Sequence, residues 1–184
     1  GYDVYREYYV NDAGRQMDIL AASIWFRYLT LNGENVTFPA NGYRGEYIID
    51  IARQLKEKHQ QAFVSPAELV MQHLPVDEPQ GGDKELYIDA VIGRMKELLG
   101  SQFPMVSEES LSGILGDICN DLAELGVPFD NWYSERDLVT SGMVDKMLER
   151  LKASGHTYEK EGALWFRSTD FTDDKDRVLV RANG

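Results

Sequence analysis

The chain has 184 residues and a mass of 20.9 kDa, and its 19 basic and 31 acidic side chains give a formal net charge of −12 at pH 7. This length allows one domain or little more, and 43% hydrophobic residues exclude wholesale disorder. The single cysteine, Cys119, excludes an intramolecular disulfide framework and favours a reducing cytoplasm, and no apolar stretch reaches the roughly 18 to 20 residues that a membrane span needs.

The first 32 residues predict a strand, a turn and a helix. The segment from Val4 to Val10 is rich in Val and Tyr, which is typical of a buried strand, and Asn-Asp-Ala-Gly at 11–14 predicts a turn. Apolar residues then recur at helical spacing from Met17 to Tyr28, until Asn32-Gly33 supplies a left-handed stop. This order is half of a mononucleotide-binding unit, although the glycine fingerprint of dinucleotide folds is missing.

A loop over residues 36–45 precedes two further predicted helices. The first covers about 45–58. The second is short, ends near His73, and follows Ser65-Pro66-Ala67-Glu68, in which Ser65 has the place of a capping hydroxyl and Glu68 that of the reciprocating carboxylate. The sequence therefore predicts a capping box at this helix.

A polar hinge at 75–82 leads to two longer predicted helices. Asp83 caps the first of them, which ends at Gly100. Ser107 opens the second, where Glu108 and Glu109 complement the positive end of the helix dipole. The apolar stripe of this last helix runs from Leu111 to Leu125, with Cys119 beside it, so we expect a buried, inert thiol rather than a nucleophile.

The composition changes after residue 128. Residues 131–137 are aromatic and charged and predict a short strand, and Met143 to Leu151 predict a helix closed by Gly155. Two strand-like runs follow, at 163–166 and 178–181, with an acidic turn between them. The chain starts inside a strand and stops at Asn183-Gly184, a turn signal, so it is expected to be cut at both ends.

Three groups of residues invite a functional reading and have a simpler one. Four aspartates near residue 173 suggest calcium, but their spacing lacks the glycine and distal glutamate of an EF-hand loop, so salt bridges with Lys175 and Arg177 are favoured. The histidines lack catalytic neighbours and are interpreted as surface or cap residues, and the tryptophans as core residues rather than base-stacking platforms. The aspartates are Asp170, Asp173, Asp174 and Asp176, the histidines are His59, His73 and His156, and the tryptophans are Trp25, Trp132 and Trp165.

The excess acid lies in the middle of the chain. Residues 61–140 carry 15 acidic and 4 basic side chains, whereas residues 1–60 carry 8 and 7, and residues 141–184 carry 8 and 8. RNA would be repelled by that middle part, so any RNA contact is expected at the ends. The simplest interpretation is a solvated acidic helical surface that keeps the protein soluble.

Three stretches of the sequence resemble consecutive segments of one enzyme family. They are Arg6 to Met17 (REYYVNDAGRQM), Phe129 to Leu138 (FDNWYSERDL) and Thr157 to Gly184 (TYEKEGALWFRSTDFTDDKDRVLVRANG). In order and spacing they are similar to the bacterial arginyl-tRNA synthetases, class I aminoacyl-tRNA synthetases, over essentially the whole chain.

The resemblance implies an α/β fold: a mainly helical insertion flanked by partial strands of a class I nucleotide-binding, Rossmann-like parallel sheet, with a small β subdomain near the C-terminus. It places the start of a catalytic-domain fragment at 1–32, the acidic helical insertion at 33–128, and a mixed segment returning to the catalytic sheet at 129–184. It implies a ligase that activates arginine with Mg-bound ATP and transfers it to tRNA(Arg) in the cytoplasm.

Two family signatures do not occur in this sequence. His-x-Gly-His is absent, and Lys146-Met147 lies inside an ordinary amphipathic helix rather than in a Lys-Met-Ser-Lys loop. The chain is therefore expected to be an internal fragment of the enzyme, without activity and without tight ATP binding on its own, and no residue of it is predicted to be catalytic or to bind a metal.

Five residues are nevertheless predicted near ATP, arginine or the tRNA terminus: Asn11, Asp12, Gly14, Gln16 and Glu135. The first four follow a strand that ends at the carboxyl edge of the family's sheet, where ligands bind. Glu135 matches a serine-glutamate segment found at a similar place in relatives and is expected to approach the terminal adenosine. For Asn11 and Asp12 the alternative is capping of a helix that begins at Ala13, and for Glu135 a surface salt bridge with Arg136 or another neighbour. The alternative for the whole chain is an acidic helical interaction module without catalytic activity.

Overall fold

The computed structural model describes residues 1–182, which form two compact units. The first unit contains Gly1–Tyr8 and Asp12–Trp132, and the second contains Tyr9–Asn11 and the chain from Tyr133 onward. Strands β1 (Glu7–Val10) and β2 (Asn131–Ser134) form a two-stranded parallel sheet, and each unit includes part of both strands. The turn predicted at Asn183-Gly184 lies outside the described residues.

The opening strand is shorter and more exposed than predicted. Val4 and Tyr5 precede β1 and are 65% and 72% exposed, and within β1 itself Val10 is the residue that is buried. The prediction of a buried strand from Val4 onward is wrong. Within residues 1–182 the strand pairs with β2 alone, and burial of a strand on both faces requires a layer on each side. Tyr8 is covered by Trp132, with the two ring centroids 4.5 Å apart.

Helix α1 (Arg15–Leu31) is the central helix of the first unit. Ten of its residues are buried, and it packs against α2 (Glu46–His59), α4 (Lys84–Leu99) and α5 (Phe103–Glu124). The indole of Trp25 is fully buried and donates a hydrogen bond to the carbonyl oxygen of Phe63 at 2.8 Å. The prediction that tryptophan packs in the core is confirmed for this residue, and its polar group has a partner, as burial requires.

The predicted ends of α1 and α4 are confirmed. The left-handed stop after α1 falls at Gly33, which has a φ of 95°. The carboxylate of Asp83 accepts hydrogen bonds from the amides of Glu85 and Leu86 at the start of α4, and that helix ends just before Gly100. Local sequence signals therefore decide where α1 ends and where α4 begins and ends.

Helix α3 (Ala67–Met71) begins where predicted but has a different cap. Its N-cap residue is Pro66, and no side chain of the capping box bonds to the helix. The Oε2 atom of Glu34 instead accepts a hydrogen bond from the backbone N–H of Ala67 at 2.6 Å. The predicted cap at Ser65 is wrong because a carboxylate 33 residues away in the chain takes its place.

We expect Glu34→Ala to lower the free energy of unfolding by about 1 kcal/mol, the typical value of an N-cap bond. Ser65→Ala should change it by less than about 0.5 kcal/mol, as a surface substitution does. Urea denaturation of both variants tests this. A larger loss for Ser65→Ala than for Glu34→Ala would contradict the observed cap.

Helix α5 begins at Phe103 rather than at Ser107, because Pro104 fits the first turn of a helix. Its buried residues are Val106 and Ser110, whereas the predicted apolar stripe from Leu111 to Leu125 is largely half-exposed. Cys119 is accordingly half-buried, not buried as predicted. An open groove of about 360 Å³ lies between α5 and α2, lined by Tyr47, Ile114, Ile118, Asp117, Asn120 and Asp121.

The predicted hinge at 75–82 is folded around a buried carboxylate. Asp77 is 6% exposed and accepts hydrogen bonds from the backbone N–H of Ala40 at 2.8 Å and of Glu78 at 2.7 Å. Residues Glu78–Gln80 form a turn of 3₁₀-helix, and a Cβ atom at Gly82 would meet the carbonyl oxygen of Val76 at 1.7 Å. A side chain at Gly82 is therefore incompatible with this loop.

The second unit contains two helices and a three-stranded antiparallel sheet. The strands of this sheet lie side by side in chain order, and Glu161 and Gly162 join the first two with φ values of 53° and 76°, the left-handed pair that a tight hairpin prefers. The strand runs predicted at 163–166 and 178–181 are observed, the second one residue earlier. The elements are α6 (Glu135–Thr140), α7 (Met143–Ala153), β3 (Thr157–Lys160), β4 (Ala163–Phe166) and β5 (Arg177–Val180).

The α/β class predicted from the sequence is confirmed, because helices, a parallel strand pair and an antiparallel sheet occur in one chain. Within residues 1–182, none of the helices combines the length and the apolar character needed to cross a membrane.

Candidate functional site

The turn before α1 ends in a backbone conformation that favours glycine. Gly14 has a φ of 85° and a ψ of −173°, a region that side chains other than glycine essentially never occupy. Gly14 is also the N-cap residue of α1. The helix therefore begins at Arg15 rather than at Ala13, and Gly14 has the N-cap position instead of Asn11 or Asp12.

Asp12 is buried, with 7% of its surface exposed, whereas Gly14 and Gln16 are exposed at the N-terminal end of α1. These three predicted site residues therefore lie within one short segment of the first unit. Their groups differ in chemistry: a carboxylate at 12, a bare backbone at 14 and a carboxamide at 16. Such a segment supplies both hydrogen-bond donors and acceptors to a polar ligand.

A tyrosine from the loop before α2 orients Gln16. The hydroxyl of Tyr43 donates to Oε1 of Gln16 at 2.8 Å, and the backbone N–H of Tyr43 donates to Oγ of the buried Ser23 at 2.9 Å. Because the amide oxygen accepts from Tyr43, the NH₂ group of Gln16 is the part left to donate, and it has no partner in residues 1–182. This arrangement provides an oriented donor at the start of α1.

Arg15 ties the first turn of α1 to α4. Its Nε atom lies 2.7 Å from Oδ1 of Asp89, and its Nη2 atom lies 2.8 Å from Oε2 of Glu85. The hydrogen bonds with Asp89 and Glu85 raise the pKa of the guanidinium above its ordinary value. An arginine in the first turn opposes the helix dipole, so the two carboxylates offset a local disadvantage while they fix the position of the turn.

Four supporting residues were not predicted from the sequence: Arg15, Tyr43, Glu85 and Asp89. The one signal it offered was a cation in the first turn of a helix, where an anion is preferred. Asn41 adds to the same network because its amide donates to Oε1 of Glu85 at 2.9 Å. The helix start therefore has supports from both the 36–45 loop and α4.

The other two predicted site residues lie in the second unit. Asn11 is exposed, and Glu135 is half-buried at the first position of α6. Ser134 is the N-cap of that helix, and its hydroxyl accepts a hydrogen bond from the backbone N–H of Asp137 at 3.0 Å. An acidic residue at the first position of a helix is also favoured by the helix dipole. Stabilisation of α6 therefore explains a glutamate at position 135 without any contact to a ligand.

The aspartates of the second unit pair with neighbouring side chains. Arg177 lies 2.7 Å from Asp173 and 3.1 Å from Asp174, and it holds the pKa of Asp173 well below its usual range. Asp170 pairs with His156 at 3.3 Å. The predicted salt bridge with Arg177 is observed, whereas the one predicted with Lys175 is not found among the described residues. No group of three potential metal ligands occurs among residues 1–182.

The acidic surface of the first unit is partly neutralised by ion pairs. Lys96 pairs with Asp18 at 2.8 Å, and Lys58 and His59 face Glu109. The hydrogen bond from Lys58 lowers the pKa of Glu109. Because this pKa is lower in the folded chain than in the unfolded chain, the ionised Glu109 stabilises the fold above about pH 4.3, the ordinary pKa of glutamate. This stabilisation is lost as the pH falls through the pKa that Glu109 has in the folded chain.

Comparison with known proteins identifies arginine-tRNA ligases among the relatives of this chain. Over its whole length the chain is 56% identical to an arginine-tRNA ligase of Legionella pneumophila (strain Corby), covering 32% of that protein, and 58% identical to one of Thioalkalivibrio sulfidiphilus, also covering 32%. A crystal structure described as an arginyl-tRNA synthetase from Campylobacter jejuni matches with a TM-score of 0.71 at 29% identity, over the whole chain and 33% of that protein. No family model matches.

The resemblance to bacterial arginyl-tRNA synthetases is confirmed by these comparisons. The chain spans about a third of the length of the curated relatives it matches.

Proposed function

We propose that this chain is an internal segment of an arginine-tRNA ligase, a cytoplasmic enzyme that activates arginine with Mg-bound ATP and transfers it to tRNA(Arg). The observation that carries the proposal is the 56–58% identity to such ligases along the entire chain, together with the matching fold of the Campylobacter jejuni enzyme. Residues 1–32 and 129–184 would then belong to the catalytic domain, and residues 33–128 to its helical insertion.

Within that enzyme, the start of α1 is proposed to border the reacting groups. The exposed NH₂ group of Gln16 suits a carbonyl, carboxylate or ribose oxygen, and the backbone at Gly14 permits close approach of a ligand. Asn11 and Asp12 are proposed to contact ATP, arginine or the tRNA terminus, and Glu135 the terminal adenosine. These residues bind and orient, and the groups that stabilise charge on the ATP phosphates are proposed to lie outside this chain.

A chimeric enzyme tests the proposal. The matching third of the Thioalkalivibrio sulfidiphilus ligase would be replaced by this chain, and charging of tRNA(Arg) would be measured with arginine and, as a control, with lysine. We expect charging with arginine alone. A folded chimera that charges neither amino acid would contradict the proposal and favour the alternative of an acidic interaction module, whose binding to a basic partner would be lost at high salt.

The isolated 184-residue polypeptide is proposed to be inactive. It should show no arginine-dependent exchange of pyrophosphate into ATP, with or without tRNA, because it lacks both His-x-Gly-His and Lys-Met-Ser-Lys. Appreciable exchange by the polypeptide alone would refute the need for those two motifs.

The acidic surface is expected to have a minor role in catalysis. We expect Glu108→Gln combined with Glu109→Gln to leave the charging rate of the intact ligase within about twofold, because surface charges far from a site act weakly through salt-screened solvent. The variant loses the ion pair between Lys58 and Glu109, so its free energy of unfolding is measured as well, to detect a structural effect of the change. A tenfold loss of charging with unchanged stability would show that the surface is functional.

A further inference from the structure

Two arginines of the first unit share one aromatic ring. The guanidinium carbon of Arg27, on α1, lies 4.1 Å from the ring centroid of Phe38, and that of Arg44 lies 5.6 Å from the same centroid. Phe38 and Arg44 belong to the loop between α1 and α2. We call these three residues the arginine–phenylalanine cluster.

Neither arginine of the cluster has a carboxylate partner within residues 1–182. In the same unit, Arg15, Arg53 and Arg94 each pair with a carboxylate. The chain has an acidic excess of 12 charges, so carboxylates are abundant, yet neither of the two cations that lie over the Phe38 ring is paired with one of the described carboxylates. Like charges that lie near one ring repel each other, and an anion bound beside them would offset that cost.

The hydrogen-bonding groups of the cluster are also incompletely used. The Nε atom of Arg27 is buried and has no hydrogen-bond partner among the described residues. Arg44 is exposed, and its Nη2 atom donates to the carbonyl oxygen of Pro39 at the long distance of 3.4 Å. A buried donor without a partner is unfavourable, and the remaining guanidinium N–H groups are available to an anion.

We infer that the arginine–phenylalanine cluster is a contact site for RNA phosphodiester groups, an inference that rests on the proposed tRNA ligase function. A guanidinium binds phosphate through two parallel hydrogen bonds, and stacking on an aromatic ring fixes its plane for that geometry. Two carboxylates contact the same loop. That of Asp77 accepts a hydrogen bond from the backbone N–H of Ala40, and that of Glu85 accepts one from the side-chain amide of Asn41. The cluster lies in the part of the chain where acidic and basic side chains nearly balance.

RNA fits the cluster better than the phosphates of ATP do. Sites for nucleotide phosphates usually offer a glycine-rich loop or several backbone N–H groups at a helix start. The cluster instead offers side-chain cations at a loop, which is the arrangement that neutralises the phosphates of an extended polyanion.

The experiment compares variants of the intact ligase that carries this chain. Arg44→Gln removes an exposed cation of the cluster, and Arg27→Lys keeps the charge but removes the planar fork. Arg53→Gln is the control because it removes another exposed arginine of the same unit, one that is paired with Asp50. The probe is a tRNA(Arg) transcript. Its KM in charging and its dissociation constant over a salt series are measured, together with the KM values of ATP and arginine.

We expect Arg44→Gln to weaken tRNA binding about three- to tenfold and to reduce the slope of log K against log salt by about 0.7 to 0.9, the loss of one phosphate contact. Arg27→Lys should also raise the KM of tRNA, whereas Arg53→Gln should leave it unchanged. The KM values of ATP and arginine should stay constant in all three variants.

The inference is overturned if Arg44→Gln changes neither the KM of tRNA nor the salt slope. It is also overturned if the KM of ATP rises while that of tRNA stays constant, because the bound phosphate is then that of the nucleotide. Should Arg27→Lys fail to fold, the exposed Arg44 decides alone. A wild-type enzyme that binds tRNA without charging it with arginine refutes the proposed function, and the comparison of tRNA binding between wild type and Arg44→Gln still decides the inference.

Discussion

Replacing Gly14 by alanine should lower the catalytic efficiency of arginine charging by the intact ligase about 100-fold, the scale of effect that a 1 Å displacement of a catalytic site produces. A Cβ atom at Gly14 would meet nothing within 4 Å, so the effect does not come from a clash. It comes from the backbone, because a φ of 85° with a ψ of −173° is open to glycine alone. Alanine would force the turn to rearrange, and the start of α1 would move with it.

Gly33→Ala is the matched control for Gly14→Ala. Gly33 lies at the other end of α1, has a φ of 95°, and also has no atom within 4 Å of a Cβ. Both substitutions should therefore lower the free energy of unfolding by about 1 to 3 kcal/mol through backbone strain. Charging per folded molecule should fall in Gly14→Ala alone. Equal losses of activity in the two variants would show that the turn has no role beyond stability.

Trp25→Ala should lower the free energy of unfolding of the 184-residue polypeptide by about 4 kcal/mol or more. Removal of a fully buried tryptophan leaves a cavity that typically costs about 3 to 5 kcal/mol. The carbonyl oxygen of Phe63 also loses its donor, which adds to the loss because a buried acceptor is left unpaired. Since domains of this kind are stable by about 5 to 15 kcal/mol, much of the total would disappear.

Urea denaturation followed by circular dichroism measures this change without relying on tryptophan fluorescence. Trp25→Phe keeps most of the apolar volume and removes the indole donor, so it should lose less than Trp25→Ala. Leu86→Ala on α4 is the surface control: Leu86 is 63% exposed, and its removal should cost less than about 0.5 kcal/mol. A loss below about 2 kcal/mol for Trp25→Ala would contradict the central place of this side chain.

Features set by neighbouring residues were predictable from the sequence. The cap at Asp83 and the left-handed stop at Gly33 depend on a few adjacent residues, and both are observed where the sequence placed them. The Asn-Asp-Ala-Gly segment before α1 is also recognisable in the sequence alone, whereas its place near the ligands was predicted from the family resemblance. Its role in the reaction stays a prediction.

Features set by distant residues were not predictable. Glu34 replaced Ser65 as the cap of α3, and Asp89, 74 positions from Arg15, holds the first turn of α1. Periodicity identified α5 as amphipathic, yet it gave no information on whether another layer covers that stripe. Burial and long-range pairing depend on which segments meet in space, and a single sequence records neither directly.

The pairing near β1 and β2 also constrains the time course of folding during synthesis. The backbone N–H of Arg6 donates to the carboxylate of Asp130, and the side chain of Asn131 donates to Glu7, each across 124 positions of the chain. At about 5 to 20 residues per second, a ribosome needs roughly 6 to 25 seconds to make the second partner after the first. These two hydrogen bonds therefore cannot form until the helical core has been synthesised, and during that interval Arg6 and Glu7 are open to other partners, such as chaperones or another nascent chain.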